Sequence, residues 1–124
     1  MTATTDTMLF DGADHVASVA EGYEERLAKV RERYDAYHPD CQRRYAADEY
    51  RDTQARIRGA RKFLAGDYDA TYCSGLGWDT VEAWRAHYAD DTLRAALHHL
   101  VWAECYAGMI DRDAAKSVDP WNNR

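Results

Sequence analysis

The sequence has few of the residues that interrupt helices. It contains two prolines and seven glycines in 124 residues. Because proline and glycine are the residues least compatible with a helix interior, this composition favours helices over a turn-rich β fold. The length fits one ordinary domain and is too short for two domains of typical size. We therefore expect a single all-α domain.

The chain also lacks signals for export or membrane insertion. Its first ten residues, MTATTDTMLF, have neither the basic start nor the apolar run of a signal peptide. No stretch approaches the roughly 18 apolar residues of a membrane span. The three cysteines are an odd number without C-x-x-C spacing, which is a poor disulfide framework and fits a reducing compartment. These features predict a cytoplasmic protein with no membrane partner.

Motifs of nucleotide binding and nucleophilic catalysis are missing. The segment GLGWDT lacks the third glycine of a dinucleotide fingerprint and the Gly-Lys-Ser/Thr of a P-loop. We interpret Gly75 and Gly77 as a hinge that lets Trp78 enter the core. None of the three serines lies in a G-x-S-x-G or S-x-x-K arrangement. The sequence therefore predicts no cofactor and no nucleophilic catalytic residue.

The histidines and cysteines do not have the spacing of a metal site. His98 and Cys105 lie seven positions apart, which is roughly 10 Å along a helix and too far for both to bind one ion. His38 and Cys41 have a suitable separation, but Pro39 lies between them and interrupts the helix. We therefore predict no metal site and assign the histidines to the surface or to helix ends.

Two long segments have the periodicity of amphipathic helices. The first runs from Asp14 to His38 and the second from about residue 40 to residue 65, with Pro39 between them and Gly66 as a C-terminal cap. A proline between two helical segments indicates a tight connection. Together they predict a long antiparallel helical hairpin.

The second half of the chain predicts shorter helices. Asp79 and Glu82 form a D-x-x-E capping arrangement, Asp90 or Asp91 caps a further helix that ends near Ala107, and a last helical turn spans residues 111–118. The predicted fold is thus a long antiparallel hairpin packed against a second, shorter helical pair, with four to five helices. Its parts are a flexible N-terminus (1–11), a single helical domain (12–119) made of the hairpin (12–65), a joint (66–78) and the second half (79–118), and a flexible tail (120–124).

One candidate contact surface lies on the last long helix. His99, Trp102 and Tyr106, joined by Met109, face away from Leu97 on a helix that is apolar nearly all round. Such a helix is either enclosed by other elements or part of an interface, and Trp, Tyr and Met are enriched in interface cores. We therefore predict that this surface binds a protein partner or a second copy of the chain, with simple burial as the alternative.

A second candidate surface is basic. The formal net charge is −6, but residues 40–65 carry seven basic and four acidic side chains. At about 100° per residue, one stripe of the second helix contains Arg44, Arg51, Arg58 and Lys62. We call these four residues the arginine stripe. It suits a phosphate backbone or an acidic protein surface, and the alternative is a solvated face neutralised by neighbouring aspartates.

Glu104 is the one acidic residue on the apolar face of the last long helix. A buried carboxylate needs a partner. An ion pair with an arginine such as Arg85 or Arg94 is the favoured expectation, and a general acid or base is the alternative.

These patterns predict a non-catalytic, acidic helical interaction protein that binds a protein partner or forms a homodimer. A narrower version is an inhibitor or anti-defence regulator whose acidic half imitates nucleic acid. Two alternatives stay open, namely a nucleic-acid-binding module that uses the arginine stripe and a small enzyme centred on Glu104. Nucleic acid is the less favoured partner because the whole chain is acidic.

Overall fold

The computed structural model describes residues 2–36, 38–66 and 81–122. Within these ranges the chain forms an all-α bundle without strands, as the composition predicts. The four helices are α1 (Thr2–Asp35), α2 (Arg43–Ala65), α3 (Val81–Tyr106) and α4 (Arg112–Val118).

The three long helices pack against one another, and α4 packs on α3. Helices α1 and α2 form the predicted antiparallel hairpin, since Tyr34 near the end of α1 contacts Tyr50 in the first half of α2. Arg61 near the end of α2 bonds to Glu24 in the middle of α1. Helix α3 runs antiparallel to α2, because Phe63 contacts Trp84 at one end of the pair while Tyr45 contacts Tyr106 at the other. Helix α3 therefore runs parallel to α1 and is covered by both helices of the hairpin.

The core lies along the axis of the three long helices. Leu27, Ile57, Leu93 and Leu100 are buried there, each at most 4% exposed. Alanines complete the contact between the helices, because their small side chains let the backbones approach closely. The fully buried alanines of this cluster are Ala20, Ala60, Ala89 and Ala96.

Helix α3 continues without interruption through the two aspartates that the sequence analysis interprets as a helix cap. Ala89 and Leu93 on either side of them are buried in the core, and Asp90 makes an ion pair with Arg94 at 3.6 Å. The predicted helix boundary at Asp90 or Asp91 is therefore wrong. Burial of the flanking apolar residues outweighs the local preference of aspartate for a cap.

The structure places the start of α1 earlier than predicted and the end of α2 where it was predicted. Helix α1 begins at Thr2 and includes residues that the sequence analysis assigns to a flexible N-terminus. Gly66 ends α2 as predicted, with φ of +81° and its N–H bonded to the carbonyls of Lys62 and Phe63. The rest of the predicted joint lies outside the described residues, with its Gly75 and Gly77 hinge, Trp78 and the Asp79 cap.

None of the helices in the described ranges has the length and low polarity needed to cross a bilayer. Cys41 and Cys105 are free thiols, and burial raises the pKa of both. Because the thiolate is the reactive form, a raised pKa makes both thiols poor nucleophiles at neutral pH. Cys73 lies outside the described residues.

Two glycines in different backbone conformations give predictions of opposite sign. Gly108, just after α3, has φ of +79°, and a Cβ there would lie 2.8 Å from the backbone oxygen of Asp40. Gly108→Ala should lower the free energy of unfolding by at least about 1–2 kcal/mol, because an L-residue is strained at this φ. At Gly22, inside α1, a Cβ would have no neighbouring atom within 4 Å, so Gly22→Ala should raise the free energy of unfolding by about 0.5–1 kcal/mol. Urea unfolding measures both, and a change of the same sign in the two variants would contradict this account.

Candidate protein-interaction surface

Two groups of aromatic rings lie along the C-terminal half of α3. Tyr45, in the first turn of α2, lies 5.4 Å from Tyr106 between ring centroids, and Tyr106 lies 6.1 Å from Trp102 one turn earlier on α3. Trp121 follows α4 and stacks on the His98 ring of α3 at 3.8 Å. We call Tyr45, Trp102, Tyr106 and Trp121 the aromatic surface. Three separate parts of the chain contribute to it.

The carboxylate of Asp119 joins the C-terminal segment to α3. It is 4% exposed and accepts hydrogen bonds from Trp102 Nε1 at 2.8 Å and from the backbone N–H of Trp121 at 2.9 Å. His98 Nδ1 lies 2.8 and 2.9 Å from the two carboxylate oxygens, and it must donate because an ionised carboxylate only accepts. These contacts fix Trp102 and Trp121 in one arrangement.

The environment of Asp119 keeps it ionised. Burial alone would raise the pKa of this carboxyl, but the hydrogen bonds from Trp102, His98 and the backbone of Trp121 lower it by more, so that the pKa lies below its ordinary value. The docked C-terminal segment thus depends on a negative charge at Asp119.

His99 faces α2 rather than solvent. Its Nδ1 lies 2.7 Å from Glu49 Oε2 and 3.9 Å from Asp52 Oδ2, and its side chain is 13% exposed. Donor atoms of these three residues lie within 4.8 Å of one another, which makes them a group that could hold a metal ion.

Exposure divides the residues of this region into two groups. Tyr45, Val118 and Trp121 are large hydrophobic residues that are 55%, 55% and 42% exposed. Trp102, Tyr106 and Met109 are half-buried, and Met109 packs with Tyr106 against a small cluster at the end of the bundle. Of the four residues predicted as a protein-binding surface, Trp102, Tyr106 and Met109 are thus half-buried near the end of α3, whereas His99 faces α2.

Two members of the aromatic surface are absent from the sequence-based prediction. Trp121 falls in the segment predicted to be a flexible tail, and Tyr45 is not among the residues predicted for either candidate surface. The sequence shows only that Trp121 is a large aromatic residue two positions after Asp119, and this pattern alone does not indicate that the segment packs on α3.

The arginine stripe lies on another face of α2. Arg44, Arg51, Arg58 and Lys62 are all exposed. Arg51 makes an ion pair with Asp48, and Arg58 lines a groove of about 300 Å³ between α1 and α2. The structure thus brings the four basic residues to one solvent-facing side, away from α3.

Glu104 is buried in an ion pair. Its two oxygens accept hydrogen bonds from Arg26 on α1, from Nε at 3.1 Å and from Nη2 at 2.5 Å. This hydrogen bonding raises the pKa of Arg26. The arginine partner expected from the sequence is present, but it is Arg26 rather than Arg85 or Arg94, because Glu104 lies on the side of α3 that faces α1.

The lowered pKa of Asp119 predicts a specific pH dependence. A carboxyl whose pKa is lower in the folded chain stabilises that state above its unfolded pKa, about 3.9, and this stabilisation is lost as the pH falls through the folded pKa. Asp119→Asn should therefore cost about 1–3 kcal/mol at pH 7 and progressively less below about pH 4.

Urea unfolding at pH 7 and pH 3 tests this expectation, and Asp91→Asn, at an exposed position on α3, is the matched control. The control should change stability by less than about 0.5 kcal/mol at either pH. A difference between Asp119→Asn and the unaltered chain that is equally large at both pH values would refute the role of the Asp119 charge.

No protein-family model matches this chain, and comparisons with curated proteins and with solved structures give no significant match.

Proposed function

We propose that this protein is a non-catalytic helical interaction protein that binds a second protein chain, a partner or another copy of itself, through the aromatic surface. The observation that carries the proposal is the exposure of Tyr45 and Trp121 at the two ends of this surface. Ring contacts connect Tyr45 through Tyr106 to Trp102, and the Asp119 carboxylate connects Trp102 to the backbone of Trp121. Exposed aromatic residues that lie together are typical of interface cores.

The fixed geometry of the surface supports binding. Association costs free energy when side chains lose rotamer freedom, about 0.5–1.5 kcal/mol for each side chain that becomes immobile. Asp119 already holds Trp102 and the backbone of Trp121, and Tyr106 already contacts Tyr45. A partner that covers these rings would gain apolar contact area with little of this cost.

The environment of Glu104 supports a non-catalytic role. Both of its oxygens are engaged by one guanidinium, and the pair connects α1 to α3. A general acid or base needs a carboxyl oxygen that a substrate can reach, and both oxygens of the buried Glu104 are occupied by Arg26. This arrangement favours a structural function for Glu104 over the enzyme alternative.

A double variant of exposed residues tests the aromatic surface. Tyr45→Ala with Trp121→Ala should abolish assembly in light scattering over a concentration series, or capture of the protein partner, while far-UV circular dichroism stays that of a folded helical chain. The expected loss in binding is at least about 2 kcal/mol, or roughly 30-fold, as for hot-spot aromatics.

The matched control is Arg51→Ala with Arg58→Ala, which also changes two exposed side chains but on the arginine stripe. This control should assemble like the unaltered chain. Assembly and partner capture that survive in the aromatic double variant would rule out the aromatic surface as the binding site.

The arginine stripe supports a second candidate function, because its four basic side chains all face solvent on one side of α2. If it binds nucleic acid, a complex should form in a gel-shift assay at low salt. Replacing Arg44 and Arg58 by alanine should weaken the complex and make the salt dependence shallower, by roughly one unit of the log–log slope for each phosphate that is no longer neutralised. No complex at low salt would exclude this candidate.

A narrower version of the main proposal makes the partner a nucleic-acid-handling protein. Residues 66–124 carry ten acidic and five basic side chains, an excess of negative charge that resembles a phosphate backbone. Binding of this kind should weaken steeply as salt rises, whereas binding through the aromatic surface depends mainly on apolar contact.

A further inference from the structure

Two carboxylates and one imidazole converge between α2 and α3. Glu49 and Asp52 lie nearly one turn apart on α2 and point toward the same side chain on α3, which is His99. The distances from His99 Nδ1 are 2.7 Å to Glu49 Oε2 and 3.9 Å to Asp52 Oδ2, and all three donor atoms lie within 4.8 Å of one another. The group thus has three donor atoms around one point from two rigid helices.

In the described part of the chain, the two carboxylates of this group make no ion pair with an arginine or lysine, although α2 is rich in basic residues. The helix carries seven arginine and lysine residues. Among the described residues, Arg51 pairs with Asp48 and Arg61 with Glu24, but neither Glu49 nor Asp52 has an ion pair with an arginine or lysine. The two carboxylates therefore share a single imidazole, which leaves negative charge that a cation would compensate.

The donor atoms lie near the separation that a small metal ion requires. Bond lengths of about 2.0–2.2 Å in a tetrahedral arrangement place ligand atoms roughly 3.4 Å apart. The two distances from His99 Nδ1 lie on either side of this value. Asp52 has a 55% exposed side chain, so a rotamer change there can bring its oxygen into place without any change in the core.

We propose that Glu49, Asp52 and His99 form a binding site for a divalent transition-metal ion of the Zn²⁺ type. An imidazole nitrogen favours such ions over Mg²⁺ and Ca²⁺, which prefer oxygen ligands alone. Three protein ligands leave a further coordination position for water on the exposed side of Asp52.

Binding changes the bonding of His99 in a defined way. In the structure the ring reaches Glu49 through Nδ1, while Nε2 is buried without a hydrogen-bond partner in the described part of the chain. The metal bonds to the lone pair of Nδ1, so the proton that this atom donates to Glu49 must move to Nε2 or to solvent. No other bond is broken, and the metal replaces one hydrogen bond between α2 and α3.

The site is independent of the aromatic surface, although the His99 ring lies 5.6 Å from that of Trp121. A metal ion there would connect α2 to α3 and stabilise the folded chain in proportion to the logarithm of the free metal concentration. This property does not require a protein partner.

Calorimetric titration of the chelator-treated full chain with Zn²⁺ tests the proposal, with Asp52→Asn as the variant and Asp48→Asn as its matched control. Both positions are aspartates on α2 with side chains about half exposed, but Asp48 pairs with Arg51 rather than with His99. We expect one Zn²⁺ per chain in the unaltered protein and in Asp48→Asn, and at least tenfold weaker binding in Asp52→Asn. In ¹⁵N spectra, the His99 ring nitrogens should shift on Zn²⁺ addition.

Three results would overturn the proposal. They are the absence of Zn²⁺ binding at millimolar concentration, equal affinity in Asp52→Asn and Asp48→Asn, and displacement of Zn²⁺ by a modest excess of Mg²⁺. His99→Ala is a second variant, in which the Zn²⁺-dependent increase in Tm should disappear. Asp52→Asn keeps the test decisive if His99→Ala fails to fold, because Asp52 is exposed.

Discussion

Helix α3 has buried or half-buried side chains around most of its circumference, and the arrangement of the other elements follows from the need to cover it. Helices α1 and α2 cover two of its sides, with Leu93 and Leu100 almost fully buried between them. A hairpin cannot cover the third side, where Trp102 and His98 lie, and the segment after α4 does so through Asp119. The segment after α4 covers this side of α3 only in part. The aromatic surface is the part that still reaches solvent, with Tyr45 and Trp121 exposed.

Polar contacts between α1 and α3 set how these helices lie along each other. Arg26 bonds to Glu104 with two nitrogens, and nearly two turns further along α1 Arg33 donates to the carbonyls of Ala107 and Gly108 at 3.3 and 3.0 Å. The last carbonyls of a helix carry partial negative charge and favour a cation. A shift of α1 by one turn would break both contacts at once, and Glu104 would be left buried without its partner. These pairs thus select one register where apolar packing alone would allow several.

The amino-acid sequence predicts what depends on local pattern. Val16, Ala20 and Leu27, which lie on the apolar face of the first amphipathic helix, are buried. Gly66 ends α2 in the left-handed conformation. The last helical turn predicted for residues 111–118 is present as α4, and Asp111 caps it by accepting a hydrogen bond from the Ala114 N–H. In each of these cases, spacing along one helix or the conformational preference of a single residue is sufficient to predict the feature.

The features that the sequence does not predict depend on residues from different helices. The cap expected at Asp90 or Asp91 does not form, because the core contacts of Ala89 and Leu93 hold the helix together there. The partner of Glu104 and the convergence of Glu49, Asp52 and His99 depend on how the helices face each other across the bundle. Nothing in the spacing of one segment identifies a residue about 50 or 78 positions away, which is the separation of His99 from Glu49 and of Glu104 from Arg26.

Binding of a second chain on the aromatic surface is measured most directly through the tryptophans themselves. In ¹⁹F spectra of fluorotryptophan-labelled protein, the Trp121 resonance should shift or broaden as light scattering detects the larger assembly, while that of Trp84, 3% exposed in the core, should stay constant. A Trp121 resonance that does not change while the solution mass increases would contradict the account.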